Sequence, residues 1–127
     1  MKQHKEFPTF VKNNITKVQL VKYAGASGDY TPLHFTESFA RESGYKDVIV
    51  YGMLTMGFMS QYAEMFLEMN QEITSIKARF KRVVYPTDTI TCKAKLKEEN
   101  DTSLILVISA INQNEEVVLA GEVGIRK

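Results

Sequence analysis

In the second half of the chain, apolar and polar residues alternate. In "SIKARFKRV", Ile76, Ala78 and Phe80 fall on one side and Lys77, Arg79 and Lys81 on the other. "DTITCKAKLK" repeats the pattern, with Ile90, Cys92, Ala94 and Leu96 opposite Thr91, Lys93 and Lys95. A period of two predicts strands with one buried face. "SLILVISAI" is denser and predicts a strand covered on both faces, and "EVVLAGEVGI" supplies another. Turns are expected at Asn100-Asp101, in a gap longer than two residues, and at 112–115. Together these segments predict an antiparallel meander of at least four strands.

Ahead of the meander the period is helical. Thr16 can cap a helix through about Ala26, with Val18, Val21, Tyr23 and Ala24 as its apolar side. Thr36 can cap a second short helix, "ESFARES", that stops at Gly44. From about Gly52 to Met69 apolar residues fall nearly all round the first turns, at Met53, Leu54, Met56, Phe58 and Met59. Such a stretch is buried on most sides, and the later turns become amphipathic, with Gln61, Glu64 and Glu68 on the wetter side. Residues 7–15 read as a short strand or an extended lead-in. Helices followed by strands argue for an α+β domain. The simplest packing wraps the curved sheet around the long buried helix, as a single domain over residues 1–127.

Composition narrows the function classes. The chain has 127 residues, 44% hydrophobic and 24% charged, with 16 basic and 15 acidic residues for a net charge of +1. That balance gives no reason to expect nucleic acid or an anionic membrane as the main partner. The first ten residues hold no apolar run that would act as a signal peptide, and "VIVYGMLTMGFM" is shorter than the ~20 residues of a spanning helix. The expectation is a soluble, cytoplasmic protein. A single cysteine, Cys92, leaves no internal disulfide and suits a reducing compartment. No metal site and no cofactor are expected, and Cys92 reads as core. His4, near the N-terminus, receives no role.

Asp29 and His34 lie five residues apart in "GDYTPLH". On a helix their side chains would point roughly 140° apart, and on a strand to opposite faces. They converge only on a turn, which Pro32 favours by fixing its own φ and pushing Thr31 out of the helical region. A carboxylate beside an imidazole can activate water or shuttle a proton, although Asp after Gly is also a common turn residue. At Gly52 a helix starts, and its first N–H groups have no internal partners; they can face a substrate oxygen, or Gly52 can simply permit a tight turn. The basic set Lys77, Arg79, Lys81, Arg82, Lys93, Lys95 and Lys97 can meet phosphates or an acidic carrier, or be the solvated face of a sheet.

Residues 23–58, "YAGASGDYTPLHFTESFARESGYKDVIVYGMLTMGF", resemble the MaoC-like hydratases and dehydratases, with the single hot-dog fold of (R)-specific enoyl-CoA hydratases. Their pattern S-G-D-x-N-P-x-H is met by Ser27, Gly28, Asp29, Pro32 and His34, and H-G-M by Gly52 and Met53. "RFKRVVYPTDTITCKAKL" resembles the family's first long strand, its Pro-containing bend and its second strand. The resemblance implies that Asp29 and His34 form a catalytic dyad. The dyad would activate water for addition to an enoyl thioester, or run the reverse dehydration of a 3-hydroxyacyl thioester. It implies that the Gly52 N–H faces the thioester oxygen, and that Thr31, Tyr51, Met53 and Ser60 border the substrate pocket. The substrate would be an acyl-CoA or an acyl-ACP, and the assembly a homodimer or a dimer of dimers. Thr31 stands where the family has Asn, and Tyr51 where it has His. Alternative expectations are a 3-hydroxyacyl-ACP dehydratase subunit, a thioesterase using a carboxylate such as Glu64, and a non-catalytic hot-dog partner subunit.

Overall fold

A computed structural model describes residues 7–127; His4 lies outside the described residues. The first strand, β1 (Phe10–Lys12), leads to helices α1 (Lys17–Ser27), α2 (Glu37–Glu42) and α3 (Gly52–Glu64). Strands β2 (Glu72–Phe80), β3 (Ile90–Glu99), β4 (Ser103–Ile111) and β5 (Val117–Arg126) follow. They form one antiparallel sheet of five strands in the order β1-β3-β4-β5-β2. The lead-in is thus the fifth strand, pairing Phe10 with Cys92 and Lys12 with Ile90. With α3 packed on strands β2, β4 and β5, this is a hot-dog fold.

Alternation in the sequence becomes the two faces of the sheet. Leu104, Leu106, Ile108 and Ala110 of β4 are buried, while the residues between them are only half-covered. The strand is therefore fully covered on one face, not on both. Leu119, Val123 and Ile125 of β5 join the same core, against Phe58, Met59, Tyr62 and Ala63 of α3. Each fully buried aliphatic side chain of this kind contributes about 1.5–3 kcal/mol relative to exposure. Cys92 belongs to this core, and burial pushes its thiol up to about 11. The strands β2 and β5 approach so closely that a Cβ on Gly121 would lie 2.0 Å from the Lys77 carbonyl oxygen.

Two helical faces depart from the sequence reading. In α1 the buried residues are Leu20 and Ala24, and Val18 and Val21 are mostly exposed (63% and 57%). Leu20 and Ala24 share a face four residues apart, with Tyr23 beside them, and the valines lie off that face. Thr16 does cap this helix, its Oγ1 accepting from the Gln19 N–H at 3.0 Å. In α3 the helix stops at Glu64 rather than near Met69. Its first turns are also not buried on most sides, since Gly52, Met53 and Gly57 face outward, while Gln61 and Glu64 are exposed as expected of its amphipathic later turns. One chain's sheet covers only one side of an apolar helix.

Candidate functional site

Three neighbouring segments build the site. Gly28 ends α1 in the left-handed region (φ 77°), its N–H donating to the Ala24 carbonyl at 2.9 Å. Residues 29–31 then turn. The Asp29 N–H donates to Ser27 Oγ at 3.1 Å, and Asp29 Oδ1 accepts from the Thr31 N–H at 3.1 Å and the Thr31 hydroxyl at 2.6 Å. Thr31 is extended (φ −61°, ψ 121°), as a residue before proline should be. Pro32 opens a short 3₁₀ turn, Pro32–His34.

The buried run Val48–Val50 clasps this turn from the other side. The Ile49 N–H donates to the Leu33 carbonyl at 3.1 Å, and the Ile49 carbonyl lies 2.7 Å from His34 Nδ1. A carbonyl only accepts, so Nδ1 carries the hydrogen. In the neutral ring Nε2 then holds the free lone pair. Val50 is anchored in turn, its N–H donating to the Val84 carbonyl at 2.7 Å. Tyr51 follows, with its hydroxyl donating to the Asp29 carbonyl at 2.7 Å and its ring stacked on His34 at 3.8 Å. Lys17 braces the flanks by pairing with Asp47 at 3.2 Å and Glu37 at 3.6 Å. Exposed pairs of this kind contribute about 0–1 kcal/mol each.

Electrostatics follow the geometry. The Thr31 hydroxyl and N–H hold the Asp29 carboxyl below its ordinary range, with a smaller contribution from the His34 charge. Among the described residues Asp29 Oδ2 has no protein partner, and the residue is exposed. Burial, and then the Asp29 charge, push the Tyr51 phenol up, so it stays protonated and able to donate.

Gly52 is the first residue of α3, and no side chain caps that helix end. The Leu54 and Thr55 N–H groups turn back to the Tyr51 carbonyl. The N–H groups of Gly52 and Met53 precede the helical ladder and carry its positive end. A Cβ at position 52 would lie 3.1 Å from the Phe80 ring. Met53 is 60% exposed and Phe80 51%, so both present apolar surface beside the helix start. Ser60 is half-buried, roughly 12 Å of helix rise beyond Gly52. Glu64 is exposed, roughly 18 Å of rise away.

Sequence reasoning missed the clasp itself. Ile49 acts through its main chain and Tyr23 through ring contact with Tyr51 at 4.5 Å, and neither leaves a motif. The basic set lies elsewhere. Lys77, Arg79 and Lys81 border an open depression of about 400 Å³ with Val107, Ala120 and Glu122. Glu122 there pairs with Lys97 at 2.9 Å. Among the described residues no helix is long and apolar enough to cross a membrane. Among the same residues no cluster of three or more His, Cys, Asp or Glu is placed to hold a metal ion.

Comparison with known proteins agrees with this architecture. The R-hydratase of Pseudomonas aeruginosa superposes with a TM-score of 0.87 at 22% identity, covering 98% of this chain and 81% of that one. The (R)-hydratase of A. caviae involved in PHA biosynthesis gives 0.84 at 19% identity, covering 98% of each chain. In sequence, the chain is 33% identical over 116 residues to a probable enoyl-CoA hydratase 2 of Dictyostelium discoideum. That match takes in 90% of this chain but 38% of the relative, whose length the chain therefore spans only in part. The family described as the MaoC like domain matches residues 1–117, and the chain belongs to that family of dehydratases and hydratases.

Proposed function

We propose that this protein hydrates trans-2-enoyl thioesters to (R)-3-hydroxyacyl thioesters, or runs the reverse dehydration. The observation that carries the reading is the clasp. It sets an open carboxylate oxygen and a free imidazole lone pair on a rigid turn, joined by Ile49 and Tyr51 to the uncapped start of α3. A water held between Asp29 Oδ2 and His34 Nε2 gives up a proton to the pair as its oxygen bonds to the β-carbon. Negative charge moves to the thioester oxygen, where the Gly52 N–H stabilises it. The α-carbon then takes a proton from the pair, which returns to its starting state and completes the addition of one water. In the reverse direction the same groups remove it.

The substrate is an acyl thioester of coenzyme A or of acyl carrier protein. Met53 and Phe80 supply apolar wall near Gly52, Thr31 orders the acid, and Ser60 stands deeper along α3. A thioesterase built on Glu64 fits less well, because that carboxylate is at the far end of α3 from Gly52. The compartment proposed is the cytoplasm, since Cys92 is free and buried. A second copy of the chain would cover the outward side of α3 and the open edge of β2, where Met53, Phe80 and Val83 are exposed. Light scattering at the mass of a dimer or tetramer is expected; a monomer mass at micromolar concentration would contradict it.

Crotonyl-CoA should lose its enoyl absorbance on adding the protein, with (R)-3-hydroxybutyryl-CoA as product. Asp29→Ala should slow this by at least about 10²-fold, the scale of a lost general acid or base. A variant at the wild-type rate would remove Asp29 from the mechanism. Activity only after adding a second hot-dog protein would mark the chain as a partner subunit.

A further inference from the structure

Tyr51 is 3% exposed, yet it touches both members of the pair and precedes Gly52 in the chain. A hydrogen bond from His34 Nδ1 to the Ile49 carbonyl fixes where that nitrogen sits but not how the ring is tilted. The Nε2 lone pair lies in the ring plane, so the tilt decides where it points. Tyr51 sets the tilt, because its ring lies 3.8 Å from the imidazole at an interplanar angle of 21°. Tyr23 backs it from α1 at 4.5 Å and 44°. The same residue fastens the other half of the turn, its hydroxyl donating to the Asp29 carbonyl at 2.7 Å.

We propose that Tyr51 is the positioning residue of the Asp29–His34 pair, its hydroxyl fixing the main chain at Asp29 and its ring seating the His34 imidazole. This deepens the hydratase reading and rests on it. Two variants separate the two contacts. Tyr51→Phe removes the hydrogen bond and keeps the stack; Tyr51→Leu removes both. A displacement of about 1 Å at a reacting group costs on the order of 10²-fold.

The experiment combines steady-state kinetics on crotonyl-CoA with proton NMR of the His34 ring. His4 is the other histidine in the chain and can be replaced by His4→Gln to leave one imidazole. Wild-type His34 ring signals should lie upfield of free histidine, shifted by the Tyr51 ring. In Tyr51→Phe they should stay there, while kcat falls about tenfold at unchanged KM, as for one lost hydrogen bond of about 1.4 kcal/mol. In Tyr51→Leu the signals should move to free-histidine positions and kcat fall about 10²-fold. Full kcat in Tyr51→Phe beside an inactive Asp29→Asn would overturn this proposal and leave the dyad standing. So would full kcat in Tyr51→Leu, because loss of the ring current alone moves the His34 signals. Full activity in Asp29→Asn would instead remove the dyad, and the role of Tyr51 with it.

Discussion

Two aspartates in this protein sit on turns and accept hydrogen bonds, and they make opposite use of them. Asp88 is 8% exposed and both of its oxygens are taken. Oδ2 accepts from the Tyr85 N–H at 2.9 Å and Oδ1 from Gln113 Nε2 at 2.8 Å. Asp29 is exposed, and Thr31 ties down one oxygen with two bonds while the other stays open. Asp88 joins the loop before β3 to the turn between β4 and β5, with both oxygens engaged and little surface exposed. Asp29 is held through Oδ1 alone, and Oδ2 faces out. Two hydrogen bonds apiece thus tie down both ends of one carboxylate and only one end of the other.

Substitutions at the two sites should therefore separate activity from stability. The largest effect is expected at Asp29. Asp29→Asn keeps an oxygen that can accept from both Thr31 donors, so the turn survives. Hydration of crotonyl-CoA should fall by about 10²-fold or more, with the melting temperature nearly unchanged. Equal loss of activity and stability would show that Asp29 is only another Asp88. Next is Asp88→Ala, which strands the part-buried Tyr85 N–H and frees the Gln113 side chain. It should destabilise the protein by about 1–3 kcal/mol in urea unfolding, with the rate per folded molecule unchanged.

A smaller effect is expected at Thr31. Its hydroxyl favours the ionised form of Asp29, so Thr31→Val should raise the carboxyl toward its ordinary range. The acid limb of kcat/KM should then move to higher pH. The sign for stability is the same. A depressed carboxyl stabilises the fold above the ordinary carboxylate range, and that contribution is lost as pH falls through the folded-state value. Without the hydroxyl, less of it is present to lose. An unmoved acid limb would mean that Asp29 does not govern it.

Sheet and site differ in how much the sequence revealed. Strands β2 to β5 were legible because one-sided burial writes a period of two into the side chains, as in Ile90, Cys92, Ala94 and Leu96 opposite the exposed Lys93 and Lys95 of β3. Phe80, expected on the buried face with Ile76 and Ala78, is instead 51% exposed at the end of β2. The start of α3 at Gly52 and the Thr16 cap were legible for similar reasons. The buried face of α1 was misread because the exposed valines 18 and 21 outweighed a single Leu20. The exposure of α3 was missed because an apolar helix does not say which of its sides its own chain will cover. At the site, Asp29, Pro32 and His34 announced a turn. What orients His34 is the Ile49 carbonyl, and every residue has a carbonyl. The hydrogen bond from Tyr51 back to Asp29 spans 22 positions and leaves no local pattern.

Thr31 and Tyr51 depart from the family pattern, and in the fold both are engaged with the acid. Thr31 supplies two donors to the carboxylate itself, and Tyr51 one to its main chain. Both departures thus act on how Asp29 is held rather than on whether it is present.

The most direct test is a crystal structure of the Asp29→Asn variant with an enoyl-CoA bound. It should show one water within hydrogen-bond reach of both Asn Oδ1 or Nδ2 and His34 Nε2, facing the β-carbon. The Gly52 N–H should point at the thioester oxygen. An acyl chain seated away from the turn, or a thioester oxygen held by groups other than Gly52, would contradict the account.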